Sequence, residues 1–311
     1  MTVTGQRRRR RGEQPVVPEA AFASYYGTPI LNSPTWRALD IAGYLFVGGL
    51  AGASSLLAAG AGATARPALA RTAKLGAAGA VSASLALLVH DLGRPARFLN
   101  MLRVCKPTSP MSVGSWLLAG YAPLTLTAAA TDVAGRFRLV GRAATASAAA
   151  LGPAVATYTA VLLADTAVPS WHEAHRELPF VFAGSSATAA AGLALVGAPA
   201  AQTGPARRMA VLGAALEVGA FRLMRRRMGL TAEPYERRLP RAAEALTVGG
   251  AVLAGLRGGR TVAAVAGAAL LAGSAALRFG VFHAGVASAE DPKYTVVPQR
   301  ERLDSRPREG A

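Results

Sequence analysis

Eight long stretches of this 311-residue chain are apolar and nearly free of charge, and arginine-rich turns separate them. Each stretch is about as long as the hydrocarbon core of a bilayer is thick, which a helix crosses with roughly 20 apolar residues. Ala, Leu, Gly and Val occupy all sides of these stretches, whereas a helix of a soluble domain is apolar on one face. The pattern therefore predicts an all-α integral membrane protein with about eight transmembrane helices.

Small residues dominate the apolar stretches, and the chain contains 34 glycines. In lipid, small residues let the backbones of neighbouring helices approach closely, so this composition favours a tight bundle. The sixth and seventh helices are the least regular of the eight. Glu217, Arg222 and Glu244 interrupt their apolar pattern.

The organisation of the chain follows from where charge and apolar stretches alternate. We expect a polar, basic N-terminal tail over residues 1–34, a first four-helix bundle over 35–178, a second over 179–288 and a charged C-terminal tail over 289–311. Both tails carry too little apolar surface to pack, so we expect them to be mostly irregular. No apolar region follows the basic run at residues 7–11, so no cleavable signal peptide is visible.

The formal net charge is +17, from 34 Lys and Arg residues against 17 Asp and Glu residues. These cations lie at helix ends and in the tails, where they face water and lipid headgroups. No aromatic platform for stacking bases accompanies them, so we expect membrane lipid and no nucleic acid as a partner. With eight spans both termini share one side, which carries most of the cations, although the internal loops alone are nearly balanced. The positive-inside rule then predicts cytoplasmic termini.

Cys105 is the single cysteine of the chain. The chain can therefore form no internal disulfide, and it cannot hold an iron–sulfur cluster of its own, which takes about four thiolates. If the protein handles electrons, the clusters belong to a partner. His172 and His175 are three residues apart, but two histidines do not make a metal site, so we predict none.

Ionisable residues in or beside the predicted spans gather on the face that carries the termini. They are Asp40, His90, Asp91, Asp165, Glu217, Glu244, Arg278 and His283. Charge within a bilayer is costly and usually marks an ion, proton or ligand pathway. The opposite face offers mainly Asp132. We interpret Asp40, Asp132 and Glu244 as interfacial caps without a further task, and we expect a site around His90 and Asp91.

The stretch HDLGRPARFLNML, from His90 to Leu102, resembles the polysulfide reductase NrfD/PsrC family of membrane anchor subunits. Three further stretches resemble that family in the same order, and the similarity spans about residues 25 to 190. These stretches are PTWRALDIAGYLFVGGLAGAS, PTSPMSVGSWLL and YTAVLLADTAVPSWHEAHRELPFVFAGSS.

The resemblance implies two four-helix bundles with a site for menaquinone or ubiquinone in the first. It also implies a ferredoxin-like, four-cluster iron–sulfur subunit docked at the membrane surface, and usually a molybdopterin catalytic subunit beyond it. The chain would then pass electrons between the quinone pool and the iron–sulfur partner, in the cell membrane of a bacterium. The resemblance implies no haem and no cluster in the chain itself.

A quinone head needs hydrogen-bond donors at its carbonyl groups, apolar walls and a proton route. Tyr158 combines an apolar ring with one hydroxyl, and His90 exchanges protons near neutral pH. Asp91 could orient His90 or accept a proton from quinol. Arg94 could hold Asp91 in its ionised form, because a nearby cation lowers the pKa of a carboxyl group. The predicted catalytic residues are His90, Asp91 and Tyr158, and the predicted quinone-binding residues are Asn32, Trp36, Arg94 and Tyr158.

Each candidate also has a structural interpretation. Tyr158 could bond to a neighbouring helix, and His90 could cap its own helix, whose C-terminus favours a cation. Asp91 and Arg94 could form a loop-fixing ion pair. The three tryptophans, Trp36, Trp116 and Trp171, could be interfacial anchors.

Two other functions compete with the quinone-reactive anchor. A b-haem anchor would need axial histidines, and His90 and His283 are the ones near spans. A secondary transporter would show paired repeats and broken helices at the midplane, and neither is evident in this chain.

Overall fold

The computed structural model describes residues 30–304 apart from residues 33, 95 and 257. Most of the predicted N-terminal tail, residues 1–29, therefore lies outside the described residues. The described residues form helices, turns and loops, with no strand. In chain order the helices are α1 (Ala38–Ala63), α2 (Pro67–Asp91), α3 (Ala96–Met101), α4 (Pro110–Ala134), α5 (Arg138–Ala164), α6 (Pro169–Glu173), α7 (Leu178–Gly197), α8 (Gly204–Met228), α9 (Arg238–Gly255), α10 (Arg260–Glu290) and α11 (Lys293–Asp304). Three 3₁₀ turns join them, at Ala174–Arg176, Ala200–Gln202 and Gly229–Glu236.

Eight of the described helices are long, and they occupy the eight predicted stretches. Six of them, α1, α2, α4, α5, α7 and α10, are long and apolar enough to cross a membrane. The other two, α8 and α9, fall short because charged side chains interrupt them, as at Glu217 and Glu244. The all-helical membrane fold is thus confirmed, while eight spans stay a prediction that depends on α8 and α9.

The second helix begins earlier than its sequence suggests. The basic residues before Leu75 predict a turn, but α2 begins at Pro67, the first helical position, where the missing N–H of proline costs nothing. The charges are accommodated because Asp132 at the end of α4 lies beside them. Lys74 Nζ donates to Asp132 at 2.7 Å, and Arg71 Nε lies 3.8 Å from the same carboxylate.

The helix α1 lies at the centre of the molecule and packs against α2, α5, α7 and α10. Glycines set the closest crossings. A Cβ added at Gly52 would lie 2.4 Å from the carbonyl oxygen of Gly152 on α5, and one at Gly192 on α7 would lie 2.6 Å from that of Gly267 on α10. One buried apolar core therefore runs across both halves of the described chain. Two separate four-helix bundles, and the domain boundaries drawn from them, stay a prediction.

The C-terminal tail is more regular than predicted. It forms α11 up to Asp304, so the expectation of an irregular tail is wrong for this segment. Lys293 Nζ donates to Glu233 at 2.9 Å, and the hydroxyl of Tyr294 donates to the same carboxylate at 3.2 Å. These bonds attach the start of α11 to the 3₁₀ turn that precedes α9.

Candidate functional site

A pocket lies between α1, α2, α4 and α5 on the face where α1 begins and α2 ends, which we call the pocket face. It is a partly open cleft, with about 660 Å³ of space free of protein atoms when the space open to solvent is included. Its wall is mostly apolar and consists of Trp36, Ile41, Tyr44, Leu45, Leu88, Asp91, Leu92, Met101, Met111, Gly114, Ser115, Leu118, Tyr158, Leu162 and Leu163. An apolar cleft with few polar groups is the usual form of a small-molecule site.

Tyr158 supplies the pocket with a hydroxyl that has no protein partner. Its ring lies against Gly114, where an added Cβ would come within 2.3 Å of Cε2, so the glycine makes room for the ring. The hydroxyl is buried and makes no hydrogen bond among the described residues. Burying such a group unpaired costs about 1–3 kcal/mol, so a ligand or water in the pocket would relieve a real penalty.

Asp91 and Trp36 contribute the other predicted groups of the pocket wall. Asp91 is the last residue of α2, at the mouth of the pocket. Trp36 stacks on Trp171 of α6, with ring centroids 5.9 Å apart and an interplanar angle of 17°. Trp171 is fully buried, and its Nε1 donates to the carbonyl of Val281 at 2.8 Å. The interpretation of Trp171 as an interfacial anchor is therefore wrong.

His90 pairs with Asp40 rather than with Asp91. Its Nδ1 lies 3.0 Å from both carboxylate oxygens of Asp40. The histidine side chain is 63% exposed while that of Asp40 is 4% exposed, so the pair joins the protein interior to the surface. The prediction that Asp91 orients His90 is corrected, since the two are consecutive on α2 and point to different neighbours.

Two predicted residues lie outside the pocket. Asn32 and Arg94 are exposed, and neither belongs to the described pocket wall. Arg94 forms no ion pair with Asp91 among the described residues. Arg94 therefore neither fixes the loop through an ion pair with Asp91 nor holds the Asp91 carboxyl group in its ionised form in this geometry.

Tyr44 and Ser115 line the pocket, and sequence reasoning missed both. The helical spacing of α1 was a usable signal, because Tyr44 follows Asp40 by four residues and so lies on the same side of the helix. Ser115 follows Gly114 at the start of α4, and no pattern distinguishes it from the other serines in the apolar stretches.

A second buried polar cluster lies among α7, α8, α9 and α10. The carboxylate of Glu217 is buried and accepts hydrogen bonds from Thr188 at 3.1 Å and Thr247 at 2.9 Å. Arg278 is fully buried, donates through Nη2 to Phe182 O and to Ser186 Oγ, both at 2.9 Å, and lies 3.6 Å above the Phe182 ring. The cluster joins the last four long helices to each other.

The family model described as "Polysulphide reductase, NrfD" matches residues 31–233. This is well over half of the chain, and it includes every residue of the pocket wall. No curated protein matches the chain. The resemblance seen in the sequence is thus confirmed at the level of the family. The chain belongs to the polysulphide reductase NrfD family and is a multi-pass membrane subunit linked to oxidoreductase electron transfer.

Proposed function

We propose that this chain is the quinone-reactive membrane anchor of an oxidoreductase complex. It would pass electrons between the quinone pool and an iron–sulfur subunit. The observation that carries the proposal is the buried, unpaired hydroxyl of Tyr158 in an otherwise apolar pocket. A quinone carbonyl is an acceptor without a proton, so it fits this donor, and the apolar wall fits the ring and the start of the isoprenoid tail.

The pocket offers a route for the protons that accompany quinone chemistry. A quinol gives up two protons with its two electrons, so an acceptor must lie near the ring. Asp91 is the carboxyl group of the pocket wall. The pair of His90 and Asp40 lies beside it, and the exposed imidazole of His90 connects the buried Asp40 to the surface.

The partners follow from the family and from the single cysteine. Because one thiolate cannot hold an iron–sulfur cluster, the electrons must leave through another chain. We propose a four-cluster, ferredoxin-like iron–sulfur subunit docked on the pocket face, with a molybdopterin catalytic subunit beyond it. Proximity of the clusters to the pocket is the physical reason for choosing that face.

The test compares two tyrosines within the complex purified through a tag on this chain. Tyr158→Phe removes an unpaired hydroxyl, so we expect thermal stability to be unchanged or raised and turnover of a soluble quinol analogue to be lowered roughly tenfold or more. Tyr121→Phe is the matched control. Its buried hydroxyl forms a 2.7 Å hydrogen bond with Ser55, and neither residue belongs to the pocket wall. We therefore expect Tyr121→Phe to lower the stability by about 1 kcal/mol and to leave turnover unchanged.

Two results would contradict the proposal. The first is full quinol turnover in both Tyr158→Phe and His90→Ala, which would remove these residues from the site. The second is a tagged chain that carries no iron–sulfur partner out of native membranes while remaining folded. An absorption band of reduced b-type haem in the pure chain would favour the haem-containing anchor instead.

A further inference from the structure

A second cavity lies on the opposite face, where α1 ends and α5 begins, which we call the far face. It is an open recess, with about 1010 Å³ of space free of protein atoms when the space open to solvent is included. The ends of α1 and α4 and the starts of α2 and α5 surround it. Its wall includes small apolar residues such as Ala59, Ala63 and Ala146. Its rim carries the cationic side chains of Arg66, Lys74 and Arg142. This cavity is separate from the pocket face and from the proposed quinone chemistry.

The rim has more positive charge than its own carboxylate can neutralise. Asp132 lines the cavity, but Lys74 already donates to it at 2.7 Å. A neighbouring cavity of about 770 Å³ shares Lys74, Asp132 and Arg142 with the first and adds Arg138 to the wall. The combined space therefore has a surplus of cations, which attracts an anion.

Arg138 and Arg142 are the groups best placed to bind that anion. Both lie on the first two turns of α5 and both are exposed. Neither forms a hydrogen bond or ion pair with a described residue, whereas Arg66 donates to the carbonyl of Thr64. Two unpaired guanidinium groups one turn apart match a phosphate, because the planar fork of arginine binds its oxygens in pairs.

The surroundings indicate a lipid phosphate rather than a phosphate ion in water. Large apolar side chains flank Arg138 and are highly exposed, at 72% for Phe137 and 80% for Leu139. Exposed apolar groups of this size at the end of a spanning helix belong against lipid. A narrower cavity of about 190 Å³ shares Ala58, Lys74 and Thr145 with the large one and extends inward between the helices, where it is lined mainly by alanine and hydroxyl side chains.

We propose that this far-face cavity binds an anionic phospholipid, with its phosphate on Arg138 and Arg142 and its glycerol and first acyl methylenes against the alanine wall. Basic recesses between transmembrane helices are known to hold acidic headgroups. The bound lipid would join the α1–α2 and α4–α5 turns, which the bond between Lys74 and Asp132 also connects.

The test measures thermal unfolding of the full chain in a zwitterionic detergent while a short-chain lipid is added. We expect dioctanoyl phosphatidylglycerol to raise the melting temperature and dioctanoyl phosphatidylcholine to leave it unchanged. In Arg138→Ala/Arg142→Ala the concentration of phosphatidylglycerol needed should increase roughly tenfold or more, because charge-assisted bonds to the phosphate are lost. Arg136→Ala/Arg208→Ala is the matched control, since these exposed arginines are on the same face but not in the cavity wall, and it should respond like the original chain.

A second variant tests the cavity without changing its charge. Ala146→Leu adds bulk to an exposed position of the wall and should weaken the response to phosphatidylglycerol while leaving the fold intact. The proposal is overturned if phosphatidylcholine stabilises the chain equally, or if the double arginine variant responds like the control. It is also overturned if inorganic phosphate alone reproduces the stabilisation, because the site would then bind a free anion.

Discussion

Three carboxyl groups of this protein, those of Asp40, Asp132 and Glu217, are satisfied in different ways. Asp132 pairs with Lys74, and Asp40 with His90. Glu217 has no ion pair among the described residues and is held by two threonine hydroxyls. Burying a charge without partners is very costly, so each of these arrangements constrains the helices that supply the partners.

Glu177 has the strongest pairing and gives a pH prediction. It lies just before α7, where Arg227 Nε and Nη2 each donate to one of its oxygens at 2.7 Å. The Arg227 hydrogen bonds lower the pKa of the Glu177 carboxyl below its ordinary value. The ionised form therefore contributes stability that is complete above the pKa of the unfolded chain, near 4.3, and is lost as the pH falls through the lower folded-state pKa.

We expect Glu177→Gln to lower the free energy of unfolding by about 2 kcal/mol at pH 7, since one charge-assisted pair is lost. The difference from the original chain should shrink below about pH 4, where the original carboxyl becomes protonated too. Thermal unfolding in detergent from pH 3 to 7 measures both effects. Glu236→Gln, at an exposed residue that forms no ion pair among the described residues, should change neither. A constant difference at all pH values would contradict the assignment.

At the level of helices, contact between backbones decides the packing. Gly52 and Gly152 lie directly against each other where α1 crosses α5, because neither has a side chain to separate the two backbones. Gly60 is also on α1, but nothing would meet its added Cβ within 4 Å. The same residue type on the same helix therefore has a packing role at one position and none at the other.

This contrast gives a matched pair of variants. We expect Gly52→Ala to lower the free energy of unfolding by roughly 1–3 kcal/mol, because the helices must separate to admit a methyl group. Gly60→Ala should be neutral or slightly stabilising, since alanine favours helix more than glycine does. Thermal unfolding of both in the same detergent is the measurement. Equal stability of the two variants would show that the crossing tolerates a wider separation.

For the whole molecule, Trp171 connects the two halves of the described chain. It stacks on Trp36 at the pocket wall and donates to Val281 on α10. A Cβ added at Gly285 on α10 would lie 1.9 Å from the Trp171 ring, so the ring fits there only because Gly285 has no side chain. The pocket wall is therefore supported by a helix that contributes no residue to it.

We expect Gly285→Ala to raise the KM for a quinol analogue at least roughly fivefold in the complex, because Trp171 must move and Trp36 moves with it. Gly285→Ala thus tests whether α10, which contributes no residue to the pocket wall, affects quinol binding in the pocket. Gly249→Ala on α9 is the control, since its added Cβ would meet nothing within 4 Å. An unchanged KM in Gly285→Ala with lowered stability would show that the tryptophan stack supports the fold and not the site.

The number of spans can be decided by labelling cysteines from each side of the membrane. Cys105 is exposed in the loop before α4. Ala201→Cys and Glu236→Cys, each made in a Cys105→Ser background, place single thiols at exposed positions before and after α8. With eight spans, Cys105 and position 236 should react from one side and position 201 from the other.

The same labelling tests the orientation. If the termini are cytoplasmic, a membrane-impermeant maleimide should reach Cys105 only after intact cells are opened. Reaction of positions 201 and 236 from the same side would show that α8 does not cross the bilayer, and it would rule out eight spans.

Helix positions and membrane residence were predictable because they depend on local composition. An apolar run long enough for a bilayer is visible in sequence wherever it occurs, and α1, α4 and α10 each form over such a run. The start of α2 was not predictable, since its basic residues are compatible with helix only because Asp132 of another helix lies beside them. Family membership was predictable from short stretches around His90 and Tyr158.

The sequence by itself determined that the chain is helical, lies in a membrane and belongs to the NrfD family, because each of these properties depends on residues close together along the chain. Only the tertiary structure decided that Asp40 is the partner of His90, that Trp171 is buried, and that Asn32 and Arg94 lie outside the pocket. Those outcomes depend on helix rotation and crossing. Close glycine contacts between distant segments set both, and no local pattern encodes them.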